Sequence, residues 1–315
     1  MLSRPSLIRI AALASCAGLL LAGCAFRTLA PAGAAGETAF VPAGSSASSI
    51  QSGGRTRAYR VYVPPSLDRA KPAPLVVFLH GGFGNGQQAE GSYGWDAQAD
   101  AASFVVAYPD GISRAWNGGT CCGQPQKQGI NDVGFIRDLV TRLETQLALD
   151  PDRIYATGIS NGGITAYRLA CETNLFAAIG PDSATMLVPC TSPSPTSVIA
   201  IHGTADRNIR YEGGTGDGFA QVAGPAVPEV VARWRSIDQC AAPSSSVAGV
   251  VTTSIAGCPA GRMVELITVA GAGHQWPGGK PPNPILATIL GLDQPSTALD
   301  ATSVIWAFMA AHPKR

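Results

Sequence analysis

The residues best suited to chemistry form the sequence Gly-Ile-Ser-Asn-Gly at positions 158–162. An apolar run (153–157) precedes it and a helical pattern (163–171) follows it, which predicts a strand-to-helix turn. A serine at such a turn projects its hydroxyl from the edge of a sheet, and small residues two positions before and after it avoid clashes. We therefore predict that Ser160 is a nucleophile that attacks a carbonyl carbon.

A serine nucleophile needs a general base, and three histidines follow Ser160 in the chain. His312 lies in the C-terminal tail, and His202 ends an apolar run, where we expect it to brace its loop. His274 lies in the glycine-rich sequence GAGHQW, after the last predicted strand. A loop histidine at that point can place its ring over the nucleophile, so we predict His274 as the base.

The acid that orients the base is expected between Ser160 and His274, because enzymes with this type of turn carry the three groups in that order. Asp206, in HGTADRNI, follows a predicted strand and is the predicted acid. Asp182, after another predicted strand, and Asp217, in a glycine-rich loop, are the alternatives.

Acyl transfer also needs hydrogen-bond donors for the oxyanion. The backbone N–H of Asn161, the residue after the nucleophile, is the first predicted donor. The second is expected from HGGFG (80–84), where glycines allow close approach of the backbone to a ligand. We favour Gly82, with Phe83 as the alternative, and we expect the His80 side chain to be structural.

Short apolar runs alternate with helical patterns over the rest of the chain, and most of them lack the polar alternation of a half-exposed strand. The predicted strands are 58–63, 75–79, 104–108, 153–157, 176–179, 198–201 and 264–269. Helical periodicity covers 132–149, 228–237 and 297–311, the last capped by Ser296 or Thr297. The alternation predicts one α/β domain with a doubly wound, mostly parallel sheet.

Composition excludes one broad class of function. The 315 residues are 46% hydrophobic and 14% charged, with a net charge of +1 and no basic run. Nucleic-acid-binding proteins normally carry a basic patch, so we expect no nucleic-acid partner. A chain of this length buries a large core unaided, and we expect no metal or organic cofactor.

The N-terminus predicts export. Residues 1–23 combine Arg4 and Arg9 with an apolar stretch too short to span a membrane, and they end in Leu-Ala-Gly before Cys24. This arrangement resembles a bacterial lipoprotein signal with Cys24 as the lipidated residue; the alternative is an ordinary signal peptide and an incidental cysteine. We expect 24–54 to be a flexible tether, 55–315 to be the catalytic domain, and the protein to be anchored by lipid at the cell envelope.

Six cysteines follow Cys24, in a compartment that permits disulfides. We predict two bridges that each close a short loop, Cys171–Cys190 and Cys240–Cys258. The adjacent pair Cys121–Cys122 is left either as a vicinal disulfide or as two thiols. No CxxC or HxxxH spacing indicates a zinc site.

The motifs, taken in order, resemble a known family. LHGGFG, AWNGGTCCG, GISNGGITAYRLAC, IHGTAD and GAGHQWPGG resemble bacterial polyhydroxybutyrate depolymerase-like esterases, which are related to the feruloyl and acetylxylan esterases of carbohydrate esterase family one. The resemblance runs from about residue 55 to the C-terminus. It implies an α/β-hydrolase fold, with Ser160 as nucleophile, Asp206 as acid and His274 as base.

The same resemblance places Trp116 and Trp276 near the acyl pocket, although ordinary core packing is the alternative for both. The sequence departs from the family at HGGFG, where many relatives have a cysteine after His-Gly, so the second oxyanion donor stays open. Residues 280–294 also form a longer segment than usual, which could line or cover the site.

The leading hypothesis is a lipid-anchored serine esterase that acts through an acyl-enzyme on short-chain acyl, hydroxycinnamoyl or hydroxyalkanoate oligomer esters. One alternative is transfer of the acyl group to a carbohydrate acceptor. The other is an inactive binding lipoprotein of the envelope. We find no segment for a separate adsorption domain, so we expect soluble esters to be better substrates than crystalline polyester.

Overall fold

A ten-stranded sheet lies at the centre of the structure, a computed structural model that describes residues 40–290 and 292–314. The predicted signal sequence and Cys24 lie outside the described residues. The strands are β1 (Gly44–Ser52), β2 (Arg55–Val63), β3 (Ala73–Leu79), β4 (Val105–Pro109), β5 (Leu149–Ile159), β6 (Ala178–Asp182), β7 (Ser197–Gly203), β8 (Gly214–Thr215), β9 (Ala223–Gly224), β10 (Ser244–Ala248), β11 (Val251–Gly257) and β12 (Met263–Val269).

The order in the sheet is β1-β2-β4-β3-β5-β6-β7-β12-β11-β10, and β8 and β9 form a separate small pair. The six strands from β4 to β12 are parallel, whereas β1, β2, β10 and β11 are antiparallel to their neighbours. The loops after β3, β5, β7 and β12 therefore all leave the same edge of the sheet.

Helices cover both faces of the sheet, as a doubly wound fold requires. They are α1 (Gly86–Ser92), α2 (Trp95–Ala102), α3 (Gly123–Lys127), α4 (Asp132–Glu144), α5 (Asn161–Glu172), α6 (Val227–Ile237), α7 (Pro284–Leu290) and α8 (Ala301–Ala311). In β3, Leu75 and Val77 face a core shared with α4, α5 and α6, while Val76 and Phe78 face a core shared with α2 and α8. Because side chains alternate along a strand, a continuous apolar run fills both cores.

The seven predicted strands are confirmed with small shifts of their ends, but three expectations are wrong. Residues 44–52, assigned to the tether, form β1 and pair with β2 over their whole length. The helix predicted over 132–149 is shorter than expected: it ends at Glu144, and Leu149 belongs to β5. α8 begins at Ala301, and its cap is Asp300, whose carboxylate accepts the Ser303 N–H (2.7 Å).

The described residues form three disulfides. Cys171–Cys190 links α5 to the loop after β6, and Cys240–Cys258 links the loop after α6 to the end of β11, as predicted. Cys121–Cys122 is a vicinal disulfide, the first of its two predicted states. Among the residues that the structure describes, no helix has the length and apolar character needed to cross a membrane.

Candidate active site

Ser160 occupies the sharp turn between β5 and α5. β5 ends at Ile159 and α5 begins at Asn161. The φ of 57° and ψ of −124° at Ser160 lie in a region that residues with side chains rarely adopt. Backbone hydrogen bonds hold this conformation: the Ser160 N–H donates to the Asp182 carbonyl (2.9 Å), and the Ser160 carbonyl accepts from the Ile164 N–H (2.8 Å).

The two glycines of the motif are required by the close approach of β3. A Cβ atom at Gly158 or at Gly162 would overlap the carbonyl oxygen of Leu79. The spacing that identified the motif in the sequence therefore reflects direct backbone packing under the turn.

Asp206 and His274 meet after β7 and β12, which are neighbours in the sheet. Nδ1 of His274 lies 2.7 Å from Oδ2 of Asp206, and both residues are buried. The other carboxylate oxygen accepts the N–H groups of Asn208 (2.8 Å) and Ile209 (2.9 Å). The carboxylate is therefore fixed by its own loop and can hold the orientation of the imidazole.

Electrostatics keeps Asp206 ionised. Burial on its own raises the pKa of Asp206, but the charge of His274 and the hydrogen bonds from His202 and His274 outweigh it and hold the pKa well below its usual range. His202 itself is buried, with Nε2 2.8 Å from the Ile209 carbonyl and 3.3 Å from Oδ2 of Asp206. His202 thus braces the acid loop, as predicted.

The loop that carries His274 has a support that sequence reasoning missed. The His274 N–H donates to Oδ2 of Asp293 (2.6 Å), and the Ser296 N–H donates to Oε1 of Gln275 (2.7 Å). Asp293 belongs to the segment expected to line or cover the site. The contact holds the backbone of the predicted base, and no sequence motif marks it.

Two backbone N–H groups are the predicted oxyanion donors. Asn161 is the first residue of α5, so its N–H has no acceptor within the helix. Gly82 has open space on the side where a Cβ would lie. Phe83 is wrong as the alternative donor, because its N–H donates to the Arg114 carbonyl (2.8 Å).

The buried ring of His80 braces the Gly82 loop. Its Nε2 accepts the Gly111 N–H (2.9 Å), so Nδ1 carries the proton and donates to the Gly81 carbonyl (2.8 Å). Burial lowers the pKa of His80 to about 4, which keeps the ring neutral at physiological pH. His80 is therefore structural, as expected.

A family model described as "Esterase PHB depolymerase" matches residues 57–212, which include Ser160 and Asp206. "Putative esterase NocK" of Nocardia uniformis subsp. tsuyamanensis is 32% identical over 78% of this chain and 79% of its own length. The chain belongs to this esterase family. "Feruloyl esterase B" of Piromyces equi is 28% identical over 70% of the chain, which spans only 43% of that protein.

Solved structures agree on the fold. An acetyl xylan esterase from Aspergillus awamori superposes with a TM-score of 0.57 at 18% identity, over 73% of this chain and 94% of its own. At this identity the likeness establishes the α/β-hydrolase fold alone. The family assignment identifies the protein as a carboxylic ester hydrolase.

The two tryptophans predicted near the acyl pocket of this esterase lie in its interior instead. Trp116 is completely buried, and its indole N–H donates to the His80 carbonyl (2.9 Å). Trp276 is 2% exposed and packs against Phe78 and Tyr93. Both rings fill cores, which is the core-packing alternative that the sequence left open for these two residues.

The structure also distinguishes the predicted acid from the two alternative aspartates. Asp217 is exposed and pairs with Arg207 (3.2 Å). The carboxyl oxygens of Asp182 are buried and have no hydrogen-bond partner among the described residues. The hydrogen bonds of the described chain join Asp206 to His274 but do not join the Ser160 hydroxyl to His274. The contact between the predicted acid and the predicted base is thus formed, and the predicted nucleophile lies at the same sheet edge.

One group of possible metal ligands occurs among the described residues: Asp238, Cys240 and Cys258. Its two sulfur atoms are joined in a disulfide, which removes both as thiolate ligands. The three residues lie just after the ends of α6 and β11.

Proposed function

We propose that the esterase hydrolyses its substrate through an acyl-enzyme on Ser160. The hydrogen bond between Asp206 and His274 at the edge where Ser160 lies carries this proposal. Nε2 of His274 takes the proton from the Ser160 hydroxyl as its oxygen attacks the carbonyl carbon. The N–H groups of Asn161 and Gly82 stabilise the resulting oxyanion.

Collapse of the tetrahedral intermediate releases the alcohol, which receives its proton from His274. A water molecule then attacks the acyl-enzyme, again with His274 as base, and releases the carboxylic acid. Asp206 stays ionised throughout and stabilises the imidazolium through Nδ1.

The test is labelling by a fluorophosphonate together with turnover of a chromogenic ester. Ser160→Ala and His274→Ala should each lower turnover by several powers of ten, and the double variant should be little worse, because the groups act as a unit. Ser160→Ala should also abolish labelling, whereas Ser192→Ala, at an exposed serine, should leave both unchanged. More than about a tenth of the activity left in Ser160→Ala would overturn the mechanism.

We propose short-chain acyl, hydroxycinnamoyl and hydroxyalkanoate oligomer esters as the substrate range. The family description and the feruloyl esterase name of a relative support this range. A panel of soluble esters, each with and without a sugar acceptor, tests it and separates hydrolysis from acyl transfer. We expect free acid as product, and poor clearing of crystalline polyhydroxybutyrate.

We also propose that the protein is exported and anchored through lipid on Cys24, on the basis of the sequence around that residue. Metabolic labelling with palmitate in a bacterial host tests the proposal. The wild type should incorporate label and partition with membranes, and Cys24→Ser should do neither. Label retained in Cys24→Ser would refute the assignment.

A further inference from the structure

Two exposed phenylalanine rings meet at the edge of the sheet that bears the active site. Phe83 is 55% exposed and Phe219 is 53% exposed, and their ring centroids lie 5.4 Å apart at 67°, an edge-to-face contact. Single exposed apolar side chains are ordinary on a protein surface, but these two rings are contiguous and form one exposed apolar patch. The contact therefore calls for an explanation beyond packing.

The strand order places this contact across the nucleophile. Phe83 lies in the loop after β3, and Phe219 lies between β8 and β9 in the long connection that follows β7. β5 and β6 lie between β3 and β7 in the sheet. Ser160 follows β5 directly. A contact between the two loops therefore spans the carboxyl ends of β5 and β6, next to the Ser160 turn.

Phe83 is fixed by the loop that carries the proposed oxyanion donor. Its N–H donates to the Arg114 carbonyl, and its φ of 66° turns the chain directly after Gly82. The Gly84 N–H donates to the Gly81 carbonyl (3.0 Å) and closes the turn on the other side. The ring is thus presented to solvent from a backbone held at both flanks.

Phe219 is fixed by the loop of the acid. The Gly218 N–H donates to the Arg207 carbonyl (2.7 Å), and the Ala220 N–H donates to Oδ1 of Asn208 (2.9 Å). Asn208 is buried, and its own N–H donates to Asp206. One residue therefore connects the acid to the segment that holds the second ring.

We propose that Phe83 and Phe219 form the contact for a planar ring carried by the ester substrate. Aromatic rings attract one another edge-to-face or offset-stacked, and the two phenyl groups present both edges and faces to solvent. Both phenyl rings are exposed to solvent, whereas Trp116 and Trp276 are buried. This proposal rests on the hydrolytic mechanism proposed for Ser160.

Three esters separate the sources of such a ring: methyl cinnamate carries it on the acyl group, phenyl acetate carries it on the alcohol, and ethyl acetate has none. We expect Phe83→Ala and Phe219→Ala to lower kcat/KM about tenfold, or about 1.4 kcal/mol, for at least one ring-bearing ester. For ethyl acetate, the kcat/KM of both variants should change less than about twofold. Whichever ring ester responds identifies the side of the ester bond that the pair contacts.

Phe219→Tyr keeps the ring and should retain the preference. Phe40→Ala removes an exposed ring that lies over Arg69, before β3, and should change nothing. Equal losses for all three esters, or no loss for any, would overturn the proposal. Failure of the mechanism itself would appear separately, as activity in Ser160→Ala.

Discussion

The main-chain carbonyl of Asp182 accepts the N–H of Ser160 at 2.9 Å, while the carboxyl oxygens of the same residue are buried and have no hydrogen-bond partner in the part of the chain that the structure describes. The backbone carbonyl of Asp182 thus helps to hold the turn at Ser160. Burial raises the pKa of its carboxyl group well above the usual range, and the charge of Asp206 acts in the same direction. The raised pKa of Asp182 and the lowered pKa of Asp206 belong to carboxyl groups at the ends of adjacent strands.

Asp182→Asn should therefore be tolerated. In the wild type the unfolded carboxyl ionises above about pH 4, whereas the folded one keeps its proton to higher pH because its pKa is raised. This group therefore reduces the free energy of unfolding as pH rises. Asparagine removes that dependence. Urea unfolding at pH 4, 6 and 8 should show a variant whose stability relative to wild type increases with pH. A relative loss between pH 4 and 8 would mean that the folded carboxyl is ionised.

His80 should make the fold sensitive to acid. Its pKa of about 4 in the folded state lies below the ordinary value of 6.5, so its contribution to stability is present above pH 6.5 and is lost as pH falls towards 4. The loss amounts to roughly 3 kcal/mol. His80→Gln should unfold more easily at pH 7 but show a smaller change in the free energy of unfolding between pH 6.5 and 4. An unchanged slope would assign the acid sensitivity to other groups.

Asp293 should affect turnover through the backbone of His274. Asp293→Ala removes the acceptor of the His274 N–H and should lower kcat about 10- to 100-fold with little change in KM, because the base is displaced rather than the substrate. Asp293→Asn keeps an acceptor oxygen and should recover most of the loss. If the Asn variant were as slow as the Ala variant, the negative charge rather than the hydrogen bond would be the important feature.

The buried ion pair between Arg57 and Asp132 should be essential for stability. Its atoms lie 2.7 Å apart, both side chains are buried, and Asp132 also accepts the Asn117 N–H (2.8 Å). Asp132→Ala leaves the guanidinium buried without its counter-charge and should cost about 3–5 kcal/mol. Asp68→Ala, in the exposed pair with Lys71, is the matched control and should leave the denaturation midpoint unchanged. Similar midpoints for both variants would contradict the prediction.

The sequence predicts the centre of this fold better than its margins. Buried parallel strands are recognisable in the sequence as short apolar runs. The two glycines of the Ser160 motif are recognisable because both pack against Leu79, where a side chain would not fit. β1 has no such pattern, because an exposed edge strand is stabilised by pairing with β2 rather than by its own apolar side chains. Its serine-rich sequence therefore resembles a linker.

Several residues at the periphery of the site could not be predicted from the sequence, for related reasons. The residue type of Trp116 and Trp276 indicates binding and core packing equally, and only the structure decides between them. Asp293 contacts a backbone N–H from 19 residues away in the chain, which no local spacing reveals. The sequence around Phe83 indicates a role for its N–H as an oxyanion donor, whereas the exposed part of the residue is its ring.

The hairpin β10–β11 has a consequence for how the protein behaves at high concentration. β12, which leads to His274, would be an outermost strand without it, and its apolar residues would offer a template for pairing with another copy. The outermost strands are instead SSSVA and GSSASSIQS, one short and both rich in serine. A strand added at either border would therefore bury few apolar side chains against these edges, and apolar contact would contribute little to such pairing.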